Sequence, residues 1–541
     1  MNHKKLLLTL TLCLCALLCM VVTASASEVS VHTNHFSCGV VGCQNNDHGH
    51  TPVTEWQPWT GPQSASEDNI PYDFNTKTAY IYLANNVEIE DALTIPKDHT
   101  LYLCLNGHSI TKTSGDDTFG GAIVVKEEGK LVLCDCKPSG NEGSITHSPG
   151  IEGRGVRMGG STYGVDTEFL MYGGKISGNH VGDDGAGVQI QNATFKMYGG
   201  EISDNHVEKA GNYGGGGVNV YSGGTFTMYG GKISGNTVNG NDGGGVAAFN
   251  AGFKMYGGTI TGNSAGSPGG GVVVYGAFNM YGGAITGNFA REGGGGVAAY
   301  GAFTMSGGAI TDNTCSGSYN GGGVYVKNGT WSTGAITLSG SVQIKDNYKG
   351  SNSDKKPSNL YLAKDKGVDK TINVVGPLTG SSIGVTTATE PGTGSNVTFA
   401  NSSTNTITTG IFTPDTAGVL VGVAADGDGT SAYLYKCSHV YDWAYDEEYH
   451  WKKCTNVGCD SVEAGSKIAH TWDYPANYNK PKTCVCGATQ GEPLTRSYYY
   501  APSAAEDKKG SPKTADPGVL LYAGLALTSL TGLACTAKKR H

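Results

Sequence analysis

Six side chains in one short stretch have the chemistry to hold a metal: His450, Cys454, Cys459, His470, Cys484 and Cys486. Cys437 and His439 stand just upstream. Structural zinc takes about four thiolate or imidazole ligands, and a small, loop-rich module with little core needs such a staple. The competing reading is a disulfide framework, which an extracellular compartment favours. Alternation of histidines with cysteines tips residues 437–490 towards structural zinc as the expected cofactor. A catalytic zinc needs an open position and a nearby base, and nothing here marks one. Trp443, Trp451 and Trp472 read as packing partners. Near the N-terminus, Cys38 and Cys43 repeat the Cys-x-x-Val-Gly-Cys spacing of Cys454 and Cys459, with His48 and His50 following. Zinc and disulfide both stay open there. Cys104, Cys134 and Cys136 lie in strand-like text and are expected as buried thiols, with one disulfide plus a spare as the alternative.

Glycoside hydrolysis needs paired carboxylates across the sugar. Asp183 and Asp184 are adjacent but read as a turn beside glycine, as does Asp242. Arg154, Arg157 and Arg291 are the arginines of the central region. No catalytic residue is assigned. A different candidate is the series Tyr172, Tyr198, Tyr229, Tyr256 and Tyr281, each following a methionine. These tyrosines are expected to face outward, as a ligand-facing column for sugar rings or a protein partner, or simply as cover for a sheet.

Both ends read as addresses. Lys4 and Lys5, an apolar run from Leu6 to Val22, and Ala24-Ser25-Ala26 have the layout of a secretory signal peptide spanning 1–26. At the other end, Ser511-Pro512-Lys513-Thr514-Ala515 precedes an apolar span, 519–537, and a basic tail. This arrangement resembles the sorting signal of Gram-positive sortase substrates, which are cut after the threonine and joined to the cell wall. Ser511 stands where Leu or Asn is usual, and Ala515 where Gly is usual. The resemblance implies sortase and the cell wall as partners, with membrane contact through the span before sorting.

The elements that must position all these residues come from a repeat. Met171, Met197, Met228, Met255, Met280 and Met305 are spaced 26, 31, 27, 25 and 25 apart. Each has Phe two residues before, Gly-Gly at offsets two and three, Ile at offset five and Asn at offset eight. A glycine cluster then leads into Val-x-Val or its equivalent. Phe-x-Met has period two, so both side chains share one strand face. Ile sits on a second short strand and Val-x-Val on a third. A unit of about 25 residues with three strands cannot bury its apolar face alone, whereas stacked coils of a parallel β-helix can. Phe is then expected on Phe and Ile on Ile at roughly 4.8 Å, with Asn forming a side-chain ladder at a turn. The longest spacing places a protruding loop at Glu208–Tyr213.

Composition agrees. Of 541 residues 85 are Gly and only 18 Pro, which excludes collagen, and 46 of the glycines fall in 171–330. Apolar residues at 38%, with 29 Tyr and 13 Phe, exclude a disordered linker. A net charge of −9 with five Arg shows no basic face, so nucleic acid is not an expected partner.

Met-Tyr-Gly-Gly-x-Ile-x-Gly-Asn, with Leu101-Tyr-Leu-Cys-Leu-Asn-Gly-His108-Ser-Ile upstream, resembles the right-handed parallel β-helix, pectin-lyase-like surface proteins of Gram-positive gut bacteria. The resemblance covers roughly 78–390. The segment after it is similar to the short Cys/His modules found beside such β-helices, with one residue rather than two between Cys484 and Cys486. The expected organisation is an all-β chain: N-terminal Cys/His segment 27–77, right-handed parallel β-helix solenoid 78–435 with its clearest coils at 169–330, Cys/His module 436–490, linker 491–510 and sorting signal 511–541. The resemblance implies display on the cell surface with adhesion or glycan contact, and because no acid/base constellation clusters on one face the expected role is a non-catalytic adhesin or stalk for an unidentified glycan or host ligand. The alternative is a surface polysaccharide lyase or glycoside hydrolase on the same fold.

Overall fold

A computed structural model of the chain describes residues 56–62, 70–115, 120–137, 141–162, 166–208, 214–240, 242–317, 320–329, 333–351, 353–403, 407–424, 429–455, 461–472, 475–476 and 480–493. The signal peptide, Cys38, Cys43, His48, His50, Cys459, the sorting signal 511–515, the span 519–537 and most of the loop at 208–213 lie outside these. Among the described residues no helix is long and apolar enough to cross a membrane.

Among the described residues the chain is all-β apart from a short 3-10 helix at Thr409–Ile411, and its main sheet joins 35 strands, most of them in parallel pairs, the arrangement a β-helix solenoid makes. Register follows the repeat. Phe169 pairs with Phe195, then Phe226, Phe253, Phe278 and Phe303, and the methionines pair likewise. Ile176, Ile202, Ile233, Ile260, Ile285 and Ile310 form the second column. Val188, Val218, Val246, Val272, Val297 and Val324 form the third. Less regular coils obey the same register: Leu131 and Leu133 sit under Phe169 and Met171, and Leu101 and Leu103 under those. Parallel pairing begins at Gln57–Trp59, upstream of residue 78.

All three columns point into one core, where the six phenylalanines are at most 1% exposed. Their rings stack at 4.6–5.0 Å with planes 4–12° apart. Each buried ring contributes about 1.5–3 kcal/mol. The bend between the first two strands needs glycine. Gly258 has φ +83°, and a Cβ there would lie 2.6 Å from Met228 Cε. In the cluster before Val246, a Cβ on Gly245 would lie 2.6 Å from the Gly271 carbonyl of the next coil. Backbone crowding, not only turn geometry, therefore enforces glycine there.

Seven successive coils, from His180 to Lys349, have a fourth strand in addition to the three expected. The two-residue strands His180–Val181, His206–Val207, Thr237–Val238, Ser264–Ala265, Phe289–Ala290, Thr314–Cys315 and Tyr348–Lys349 form a separate ladder. Two residues are too few to show a period of two, so only the structure reveals it. Just before it lies the asparagine ladder. The Nδ2 groups of Asn179, Asn205, Asn236, Asn263, Asn288, Asn313 and Asn347 each donate to Oδ1 of the next asparagine at 2.8–3.1 Å. Each also holds a backbone carbonyl of an adjacent coil, as Asn263 does with Ile233. In the later coils the first two strands fuse, giving Ala302–Thr311 and Ala335–Lys345 with a register shift after Met305. Antiparallel pairing of Ser431–Lys436 with Val397–Asn401 and Val419–Val423 ends the parallel run.

A second compact unit comprises 440–455 and 460–541. Its described part is a small antiparallel sheet, Tyr441–Tyr445, Tyr449–Cys454 and Ile468–Ala469, plus a hairpin of Lys482–Thr483 with Thr489–Gln490.

Candidate functional site

The second unit brings four of the six expected metal ligands together. Asp446 Oδ1 accepts from the N–H groups of Glu448 and Tyr449 at 2.9 and 2.7 Å, turning the chain tightly. The returning strand therefore carries His450 inward, where it is fully buried. The strand Ile468–Ala469 pairs beside it and delivers His470. In the tautomer that leaves Nδ1 free to ligate, His470 Nε2–H donates to the Asp446 carbonyl at 2.9 Å. That fixes the ring as outer partners of metal-ligating histidines do. The hairpin supplies Cys484 and Cys486. Both lie in the turn between its two strands, where the Gly487 N–H donates to the Cys484 carbonyl at 2.9 Å, and Gly487, at φ +90°, closes the turn.

Ligand atoms of His450, His470, Cys484 and Cys486 all lie within 4.8 Å of one another. His450 Nδ1 is 3.4 Å from His470 Nδ1 and 3.2 Å from Cys484 Sγ, and Cys486 Sγ is 3.5 Å from His470 Nδ1. A tetrahedron with N and S ligands at zinc distances has edges of about 3.3 Å for N to N and about 3.6 Å for N to S. The four side chains are thus placed to hold a metal ion. Burial tends to raise the Cys484 thiol, but hydrogen bonding, first of all from the Cys486 backbone, brings it down to about 7. Burial pushes the Cys486 thiol up. Trp443 meets His450 edge-on at 4.8 Å and Trp472 stacks on His470 at 5.1 Å, screening the cluster as packing partners. Cys454 ends the strand Tyr449–Cys454 and stands outside this group of four.

The tyrosine series forms one stacked column on the first unit. Neighbouring rings of Tyr172, Tyr198, Tyr229, Tyr256 and Tyr281 are 4.6–5.2 Å apart with planes within 12°. Tyr172 is only 7% exposed, whereas Tyr229, Tyr256 and Tyr281 are 44–45% exposed. Because ring faces cover each other, the column shows the solvent its edges and hydroxyls. It ends at Tyr281, since Ser306 holds that position on the next coil.

The acidic candidates have structural partners. Asp183 Oδ1 accepts from Arg154 Nη2 at 2.7 Å, and the Asp184 carbonyl accepts from Arg154 Nε at 2.9 Å. Asp184 Oδ1 also accepts from the Gly214 N–H across the coil boundary. Asp242 Oδ2 accepts from the Tyr275 hydroxyl at 2.6 Å, and burial raises its carboxyl to about 6. Cys104 and Cys134 occupy paired rungs, and Cys136 Sγ lies 3.5 Å from Cys104 Sγ. Phe249, Tyr275 and Tyr300 form a second aromatic column, at 4.6 and 4.8 Å, at the register position of Tyr221, and its distance from the repeat methionine varies between coils, so it keeps no fixed offset.

No protein-family model, curated protein or solved structure matches the chain. Function must therefore be argued from these residues alone.

Proposed function

We propose that the chain is a secreted, surface-displayed β-helix rod of right-handed winding that binds a glycan or host-surface ligand without transforming it. It is anchored through a sortase-type signal at Ser511–Ala515, and zinc staples its second unit. The observation that carries the binding role is the exposed end of the tyrosine column. Tyr229, Tyr256 and Tyr281 present hydroxyls at the spacing of the coils, and the Tyr281 ring faces a serine rung rather than another ring. A ring edge with a hydroxyl row, ending in one open aromatic face, suits a chain of sugar hydroxyls and one stacked sugar ring. The non-catalytic reading is supported by the engagement of Asp183, Asp184 and Asp242 in turn and cross-coil bonds.

The test is a glycan array with the full chain and its Y229A/Y256A/Y281A variant. Saturable binding by the parent and its loss in the variant are expected. New reducing ends or unsaturated products from any bound glycan overturn the non-catalytic reading. Equal binding by both chains overturns the role of the column.

A further inference from the structure

The fourth strand of the coil carries a feature that the repeat does not explain. The position after the ladder asparagine is His180, His206, Thr237, Ser264, Phe289, Thr314 and Tyr348 along successive coils. Histidine occurs only on the first two of these, which are direct neighbours in register. Two residues beyond His206, on the same strand side, stands Glu208. Other coils have Gly182, Asn239, Gly266, Arg291, Ser316 and Gly350 there. The rings of His180 and His206 are 5.1 Å apart and tilted by 39°, unlike the near-parallel stacks of the phenylalanine and tyrosine columns. Glu208 Oε2 lies 2.9 Å from His206 Nε2 and 3.7 Å from His180 Nε2. All three ligand atoms are within 4.8 Å of one another.

We propose that His180, His206 and Glu208 form a second, solvent-facing site for a divalent transition metal of the zinc class. Two imidazoles and a carboxylate at one apex suit zinc, copper or nickel rather than calcium or magnesium, which take oxygen ligands. The observed separations bracket the roughly 3.3 Å edge expected between ligands of a tetrahedral ion. A positioning partner is in place. In the ligating tautomer, His206 Nδ1–H donates to Thr237 Oγ1, the residue one coil further on. Asn239 Nδ2 borders His206 Nε2 at 3.3 Å, and a water can complete the coordination. The rings are about one-third exposed and the carboxylate about half, while His180 Nε2 itself is shut off from solvent and has no hydrogen-bond partner.

Equilibrium dialysis of the full chain against zinc, followed by metal counting, tests this. H180A/H206A is expected to bind about one ion fewer per chain than the parent. The same loss is expected when H180A/H206A is placed on C484S/C486S, because the two sites share no ligand. Cobalt separates them spectroscopically. The thiolate charge-transfer band belongs to the Cys484 and Cys486 site and persists in H180A/H206A. E208Q, which keeps the shape of the side chain, is expected to weaken zinc at the histidine site with the β-sheet circular dichroism unchanged. Unaltered stoichiometry in H180A/H206A, on either background, overturns the proposal and leaves a plain histidine–carboxylate contact.

Discussion

Asn359 Nδ2 donates to Asp415 Oδ1 at 2.6 Å, and this bond ends a one-way chain of side-chain amides. Every amide upstream donates in the same direction, from Asn179 to Asn359, and His147 Nδ1 meets Asn179 Oδ1 at the other end. Aligned hydrogen bonds polarise one another, so a carboxylate at the accepting end is the electrostatically favoured terminus. Asp415 also accepts from the Asn359 N–H and the Thr386 hydroxyl with Oδ2.

The first prediction concerns that terminus. D415A leaves the Asn359 N–H, the Asn359 amide and the Thr386 hydroxyl without their acceptor. Each buried group left unsatisfied costs roughly 1–3 kcal/mol. The loss should appear as earlier urea unfolding and as faster hydrogen exchange at 359–362. Parent-like exchange in D415A would show that the carboxylate is dispensable to the ladder.

A mid-ladder substitution should cost more than its own bonds. N263L keeps the branched skeleton of the asparagine but strands the Asn236 N–H, the Asn236 amide and the Ile233 carbonyl. About 3 kcal/mol is expected from these. Coils contact only their neighbours, so the damage is predicted to spread as local opening of the coils on either side. Exchange protection mapped along the chain checks this, and a uniform small loss everywhere would contradict it.

Phe226 tests the core. It is stacked 4.9 Å from both Phe195 and Phe253 and is fully buried. F226A is expected to cost about 3–5 kcal/mol, and F226L clearly less because it refills most of the volume. Equal losses in denaturant titration for the two variants would point to the ring stack rather than to volume.

The core was readable because its residues recur at fixed offsets: Phe, Met, Ile, Val and Asn each keep one job in every coil. The glycines were readable for the same reason. What stayed hidden lies at positions that vary. The two-residue strands show no period, and His180, His206 and Glu208 look like ordinary surface substitutions until pairing stacks residues 26 apart in the chain. In the second unit the ligand types were legible, but the choice among Cys454, Cys484 and Cys486 was not. That choice depends on the hairpin turn at Cys484–Gly487 being laid against His450, which spacing alone does not fix.

Asp242 gives a pH dependence with a definite sign. Burial raises its carboxyl from 3.8 to about 6 in the folded chain. The folded state therefore binds more protons than the unfolded state between these values, so this group lowers stability as pH rises from about 4 to about 6, with a plateau above. That stability is recovered as the pH falls from about 6 back to about 4. D242N cannot ionise and still offers an oxygen to Tyr275. The stability difference between parent and D242N, measured by denaturant titration from pH 4 to 8, should change only in that window. A flat difference would mean that the carboxyl is not raised.

Metal removal supplies the last prediction. His450 is fully buried, and Cys484 and Cys486 are 3% and 8% exposed, so polar ligand atoms are held together at contact distance inside a small sheet. Without an ion, two imidazole nitrogens at 3.4 Å must share a single proton or repel. With zinc, each lone pair has a partner and the thiols are held as thiolates. A strong chelator is therefore expected to unmask two reactive thiols and to alter the tryptophan near-ultraviolet signal of Trp443 and Trp472, while the far-ultraviolet β signal of the long parallel sheet persists. C484S/C486S should reproduce that tryptophan signal without chelator. Unchanged thiol reactivity on chelation, with Cys484 and Cys486 recovered in disulfides by mass spectrometry, would replace the metal with a covalent staple.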